Sequence, residues 1–269
     1  MADTVQTQSG QDRHGTPPLL SVRHLKKRFG AVQALRDVSL DVHRGEVVAL
    51  VGDNGAGKST TIKIISGVEF PDEGEIFFEG SRVTLSTPAD SEALGIQTVY
   101  QDLALCDNLD IVSNLYLGRE LYRTIIPGVI RVMNHAEMEK NAIPVLKRLG
   151  INLPPLNTSV ASLSGGQRQT VAVARAVLWG SKLVILDEPT AALGVAQTRA
   201  VLDLVKRLAE SGVGVLVISH NLSDVFEVAD RIVVLRLGQT VANYVTSEVS
   251  GEKVVAAITG ATEEEVVPR

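Results

Sequence analysis

An α/β fold follows from three features of the sequence. Short apolar runs of strand length recur at Glu46–Val51, Lys182–Leu186 and Val213–Ile218, and stretches with helical patterning stand between them at Lys58–Ser66 and Val195–Glu210. Such strand–helix–strand alternation builds a parallel sheet with helices on its faces. Two sections have a different character: an antiparallel-leaning start, and a helical insert over about residues 104–163.

In chain order, residues 1–18 are polar, carry Gly and Pro, and read as a disordered lead-in without the apolar run of a signal peptide. Leu19–Val22 and Val38–Val42 are the strands of the antiparallel section. Glu46–Val51 meets Gly52 as a buried strand feeding a turn, and the helix Lys58–Ser66 ends near Gly67. Glu75–Phe78 is a short strand between the turns Pro71–Gly74 and Glu79–Ser81, and Ile96–Tyr100 is another strand. In the insert, Asn108–Leu121 and Asn134–Leu149 are expected as helices, broken apart at Pro127–Gly128, with Gly150 ending the second. Arg231–Val234 is a further strand, Lys253–Ile258 a last helix, and residues 261–269 a charged tail.

The composition excludes several function classes. Of 269 residues, 45% are apolar and 21% charged, a globular balance with material for a core. The net charge of −5 does not favour a broad nucleic-acid-binding surface. One cysteine, Cys106, cannot form an internal disulfide. The most apolar stretches are far too short to span a bilayer, so any membrane attachment is expected to come from other chains.

The segment Gly52-Asp53-Asn54-Gly55-Ala56-Gly57-Lys58-Ser59, followed by Thr60, fits the phosphate-loop pattern in full. Glycines let backbone N–H groups turn inward toward phosphate oxygens, and the helix opening at Lys58 adds its positive dipole end. Lys58 is placed to reach the β- and γ-phosphates of a nucleoside triphosphate, and the Ser59 hydroxyl to ligate Mg²⁺. The strand before and the helix after supply the context this motif requires.

Asp187 ends the apolar strand Lys182–Leu186, where a carboxylate can hold Mg²⁺ beside a phosphate loop, and Glu188 is next, where it can polarise an attacking water. Taken alone, such a pair is usually a solvated loop start; the phosphate loop upstream shifts the balance. Gln101 follows the Ile96–Tyr100 strand and opens the insert, so its amide can touch Mg²⁺ or its water. His220 ends the strand before it, where its imidazole can contact the γ-phosphate and steady Glu188. Cys106 and Trp179 read as packing residues.

Ser164-Gly165-Gly166-Gln167 precedes an amphipathic run, Arg168–Leu178. The spacing of Ser164 and Gln167 is that of a capping box, which is the plain reading. Two adjacent glycines nevertheless cost helix stability, a cost that makes sense where bare N–H groups must approach an anion. The chain already has one phosphate cradle, so this second one can close on the γ-phosphate of a facing subunit.

With LSGGQ at 163–167, the phosphate loop, Gln101, Asp187-Glu188 and His220 in this order, the chain resembles the ATP-binding cassettes of ABC transporters over residues 19–260. The resemblance implies a RecA-like P-loop NTPase core with an antiparallel β subdomain and a helical subdomain that carries the signature. It implies ATP and Mg²⁺ as ligands, and ATP hydrolysis. It places Phe29 where an aromatic stacks on adenine, with ordinary buried packing as the alternative. It also implies a head-to-tail dimer with a second cassette, each ATP lying between Lys58 of one chain and Ser164–Gln167 of the other. Transmembrane permeases would hold the pair at the cytoplasmic face of the cell membrane, fed by a periplasmic or surface solute-binding protein.

Gly194 departs from the family pattern, in which many members carry an Asp that helps the two sites communicate. The Gly variant, the segment 101–120 and VVAAITG at 254–260 resemble importers of the ribose, xylose and fructose type. Sugar import is therefore the leading expectation. A cassette for another cargo (amino acid, lipid or drug) and a soluble assembly module remain the alternatives.

Overall fold

The computed structural model describes residues 17–126 and 130–261. Most of the expected lead-in, the Pro127–Gly128 break and the tail from residue 262 lie outside the described residues. Chain order begins with β1 (Leu20–Phe29), β2 (Val32–Val42), β3 (Val47–Gly52) and α1 (Lys58–Ile65). Next come β4 (Glu73–Phe78), β5 (Ser81–Val83), α2 (Pro88–Leu94) and β6 (Ile96–Val99). The insert carries α3 (Ile111–Leu115), β7 (Tyr122–Ile126), β8 (Ile130–Met133) and α4 (His135–Arg148). The chain then runs through α5 (Gly165–Leu178), β9 (Leu183–Asp187), α6 (Val195–Glu210) and β10 (Gly214–Ile218). It closes with α7 (Leu222–Val228), β11 (Arg231–Arg236), β12 (Gln239–Val245) and α8 (Gly251–Thr259).

Ten strands form one sheet in the order β5-β4-β1-β2-β12-β11-β3-β10-β9-β6. The run β11-β3-β10-β9-β6 is parallel throughout, as the strand–helix alternation requires. The antiparallel section joins it through β12, which pairs antiparallel with β11 and meets β2 at Gln239 and Asp37. The two sections are thus one continuous mixed sheet.

Alternation along each central strand sends side chains into two separate cores. Val47, Ala49 and Val51 of β3 enter one core, and Val48 and Leu50 enter the other. Val184 and Leu186 of β9 and Val215 and Val217 of β10 join the first; Leu183, Ile185, Leu216 and Ile218 join the second. A strand buried on both faces needs apolar residues at every position, which is why these segments read as unbroken apolar runs. The first core lies under α3–α8; the second is closed by α1 and by β1, β2 and β4.

The insert differs from its expected form. Instead of a helix over Asn108–Leu121, only Ile111–Leu115 is helical. Asp110 caps it at the Ser113 amide, and Asn114, fully buried inside it, turns its side chain to Cys106 and to the Asp110 carbonyl. Gly118 lies beyond it with a left-handed φ of 80°. The following residues form the antiparallel pair β7–β8, so the insert is not wholly helical. Its β-branched runs flank Pro-Gly, a hairpin signal as much as a helix break. The second helix matches, with Asn134 as its N-cap.

Candidate functional site

The carboxyl ends of the parallel strands lie level. Ile218 pairs with both Asp187 and Leu50, and Val99 with Leu186. Phosphate loop, Asp187, Glu188, Gln101 and His220 all follow from these ends, the place where open α/β sheets bind ligands.

Glycine shapes the loop from 52 to 57. A Cβ on Gly52 would stand 2.3 Å from the Leu235 carbonyl oxygen of the neighbouring strand. Gly57, at φ 106°, is the N-cap of α1 and offers no side-chain cap, and a Cβ there would meet Leu35 Cδ2 at 2.6 Å. The loop tip at Gly55 is open, and Asp53, Asn54, Gly55 and Ser59 are exposed whereas Ala56 is buried. An uncapped helix start whose amides face an open loop is a ready anion site. Lys58 folds over it, donating to the carbonyls of Gly52 at 2.7 Å and Asp53 at 3.1 Å. Thr60 is half-buried one turn into the helix.

Burial lowers the Lys58 ammonium, opposed by the carboxylates of Glu188, Asp53 and Asp187. Burial, then the charge of Glu188, raises Asp187, opposed by Lys58. The two charges attract, yet each shifts toward its neutral form. Desolvation therefore outweighs their attraction, and three carboxylates, Asp53, Asp187 and Glu188, stand against the one Lys58 ammonium, leaving the pocket short of positive charge. A divalent cation beside Asp187 would supply it, and with the exposed Ser59 hydroxyl an oxygen donor set suited to Mg²⁺ is at hand.

Glu188 is held at the left-handed φ of 52°, and its N–H donates to the Ile218 carbonyl at 2.9 Å. Its carboxylate is 16% exposed and lies 2.8 Å from Nδ1 of His220, which is 74% exposed. Non-glycine residues at positive φ concentrate at functional sites. Gln101 is exposed just beyond β6; next to it, Tyr100 shares a 2.9 Å hydrogen bond with Ser66 at the end of α1.

Ser164 and Gln167 form the expected capping box on α5, at 3.3 and 2.9 Å. The adjacent glycines also have a packing reason that spacing could not reveal. A Cβ on Gly166 would lie 2.7 Å from Gln197 Cβ, and one on Gly165 would lie 3.2 Å from Leu193 Cδ2. Among the described residues no hydrogen bond or ion pair joins 164–167 to 52–60. Phe29 is 44% exposed with Lys27 Nζ 5.2 Å over its ring, which removes the buried-packing alternative.

Several supporting residues escaped the sequence reading. Arg175 of α5 donates to the carbonyls of Leu103 and Ala104, both at 2.9 Å, and Arg168 donates to Asp107 at 3.0 Å, so the signature helix grips the segment after Gln101. Thr190 donates to Asp224 at 2.7 Å behind Glu188. Only Asn114 gave a signal, as a polar residue amid the apolar positions Ile111, Val112 and Leu115.

A phosphate loop between β3 and α1, with an acidic pair at the end of β9 one strand removed from β3, defines a P-loop nucleotide-binding protein. Comparison with known proteins narrows the class. The ABC transporter family model matches residues 35–191. The chain is 47% identical over 241 residues to the xylose/arabinose import ATP-binding protein XylG of Sulfolobus acidocaldarius, covering 90% of this chain and 94% of that one. It is 48% identical over 248 residues to the fructose import ATP-binding protein FrcA of Rhizobium meliloti, covering 91% and 95%. The ADP conformation of MJ1267, an ATP-binding cassette of an ABC transporter, superposes with a TM-score of 0.77 at 27% identity, over 93% of this chain and 98% of that one. The chain belongs to the ABC transporter family and is its ATP-binding, ATPase component. Among the described residues, no helix is long and apolar enough to cross a membrane.

Proposed function

We propose that the chain hydrolyses ATP to drive import of a monosaccharide through partner permeases at the cytoplasmic face of the membrane. Residues 19–260 act as one cassette, with 104–163 as the insert that leads into its signature. The observation that carries the reading is the Glu188–His220 contact at the strand ends beside the phosphate loop. Relatives named for xylose, arabinose and fructose import support the cargo class.

Residues 52–60 cradle the triphosphate through the amides that open α1, Lys58 neutralises its β- and γ-oxygens, and Phe29 stacks on adenine. Ser59, Asp187 and Gln101 hold Mg²⁺, which when bound withdraws charge from the phosphates. Glu188 accepts the proton of the attacking water, held in aim by His220 at its carboxylate. Ser164, Gly165, Gly166 and Gln167 serve the nucleotide of a second cassette docked head to tail. That no hydrogen bond or ion pair among the described residues ties them to the chain's own phosphate loop supports this division of each site between two copies. A solute-binding protein delivers the sugar on the far side of the membrane.

The test is uptake of labelled xylose, arabinose, ribose and fructose by cells carrying the wild-type or the Lys58→Ala chain. Loss of uptake of at least one sugar is expected. Undiminished uptake of all of them contradicts the cargo assignment. Hydrolysis by the purified chain should need Mg²⁺, and equal turnover in EDTA contradicts the metal assignment.

A further inference from the structure

One exposed side chain touches both the signature helix and the segment that follows Glu188. Gln197 is the third residue of α6, and its Oε1 accepts a 2.8 Å hydrogen bond from the N–H of Gly194. Gly194 is the N-cap of that helix and has no side chain with which to close the cap, so among the described residues Gln197 is the one acceptor for this amide. The contact is close but yields at the free end of the Gln197 side chain. A Cβ on Gly194 would lie 2.6 Å from the same Oε1, and a larger residue there would push Gln197 aside. The stem of Gln197 forms the floor under Gly166 of the signature, with its Cβ and Cγ 2.7 and 2.8 Å from where a Cβ on Gly166 would stand.

Between Glu188 and Gly194 the backbone is tightly wound. Ala191 N–H donates to the Glu188 carbonyl at 3.1 Å, Leu193 N–H to the Thr190 carbonyl at 3.3 Å, and Ala192 takes a left-handed φ of 59°. Thr190 is tied to Asp224. A displacement at Gly194 therefore has few soft joints in which to dissipate before it reaches Glu188. At the other end, Gly166 has no side chain with which to yield, so a shift of Gln197 moves the start of α5.

We propose that Gln197 is a positioning residue for ATP hydrolysis. It keeps the Ser164–Gln167 helix start, offered to the partner's nucleotide, in register with the loop that carries the chain's own Glu188. The inference rests on the reading of Ser164–Gln167 as half of a facing subunit's site.

The test compares Gln197→Ala with Gln197→Glu in the full-length chain. Alanine removes the acceptor for the Gly194 amide but keeps the Cβ under Gly166. Glutamate restores the acceptor, as in the common capping box. Because Gln197 is exposed, the unfolding midpoint of both variants should stay near that of wild type. Gln197→Ala should raise the ATP concentration for half-maximal hydrolysis and, in a Glu188→Gln background, weaken the ATP-dependent dimer, each by roughly fivefold or more. Gln197→Glu should recover to within about twofold of wild type, the sense expected when an equivalent hydrogen bond is restored. If Gln197→Ala leaves both quantities unchanged, or if Gln197→Glu fails as alanine does, the positioning role is overturned. If Glu188→Gln alone forms no dimer in ATP, the shared-site reading itself fails, a result distinct from a dimer indifferent to Gln197.

Discussion

Replacing Gly52 by alanine should damage the fold far more than the same change three residues on. The added methyl would stand 2.3 Å from the Leu235 carbonyl oxygen and 3.0 Å from Ala56 Cβ. Ordinary contacts of this kind begin near 3.4 Å, so the overlap with the oxygen is about 1 Å. Leu235 is paired with Gly52 across β11 and β3 and cannot retreat without opening that register. Overpacking against such a wall costs about 1–3 kcal/mol, and holding alanine at φ 154° costs about 1–3 kcal/mol more. Gly55, at φ 80° with nothing within 4 Å of its would-be Cβ, faces only the backbone term, about 1–2 kcal/mol. Urea denaturation of Gly52→Ala, Gly55→Ala and wild type measures the difference. Gly52→Ala should lose about 2–6 kcal/mol, a large part of the 5–15 kcal/mol typical of a domain. If Gly52→Ala loses no more stability than Gly55→Ala, the loop is not held by this contact and the reasoning is wrong.

Other variants probe separate parts of the site. Lys58→Ala should lower hydrolysis by roughly 10²–10³-fold, as expected for loss of a charge stabiliser; steady-state turnover with saturating ATP and Mg²⁺ checks this. Burial and Glu188 raise Asp187, so the folded chain releases that proton less readily than the unfolded chain. Ionising Asp187 therefore costs stability, a cost that sets in as pH rises past the ordinary carboxylate value near 4 and is complete above the raised one. Asp187→Asn should unfold at a higher temperature than wild type at pH 7 in EDTA, with the gain vanishing below about pH 4; an equal gain at both pH values contradicts the assignment. Arg175→Ala strips two carbonyls of their donor and should cost about 1–3 kcal/mol in urea denaturation, with faster amide exchange over residues 102–106.

Where chemistry constrains single residues, the sequence was legible. A phosphate cradle needs glycine, Lys and Ser at fixed spacing, and strands buried on both faces need unbroken apolar runs, so residues 46–60 and 182–188 could be read directly. Capping is equally local, and the Ser164–Gln167 box forms as its spacing implies. Contacts between distant segments left no such trace. The floor under Gly166 comes from Gln197 and the donor to Leu103 and Ala104 from Arg175, and neither residue type announces a partner elsewhere in the chain. The two glycines looked like an adaptation to an anion alone; close packing on α6 requires Gly166 in any case. In the insert, Pro127-Gly128 serves a helix break or a hairpin turn alike, and the flanking β-branched residues are the signal that decides for the β7–β8 pair.

The central claim is that each ATP is shared between two copies, Lys58 and Glu188 from one and Ser164–Gln167 from the other. Sedimentation of purified Glu188→Gln with and without saturating ATP and Mg²⁺, alone and with its permeases, tests it most directly. The account predicts a dimer with ATP that is lost in a Ser164→Arg companion, where a bulky cation blocks the facing half of the site. A chain that stays monomeric under all these conditions, or a dimer indifferent to Ser164→Arg, would contradict it.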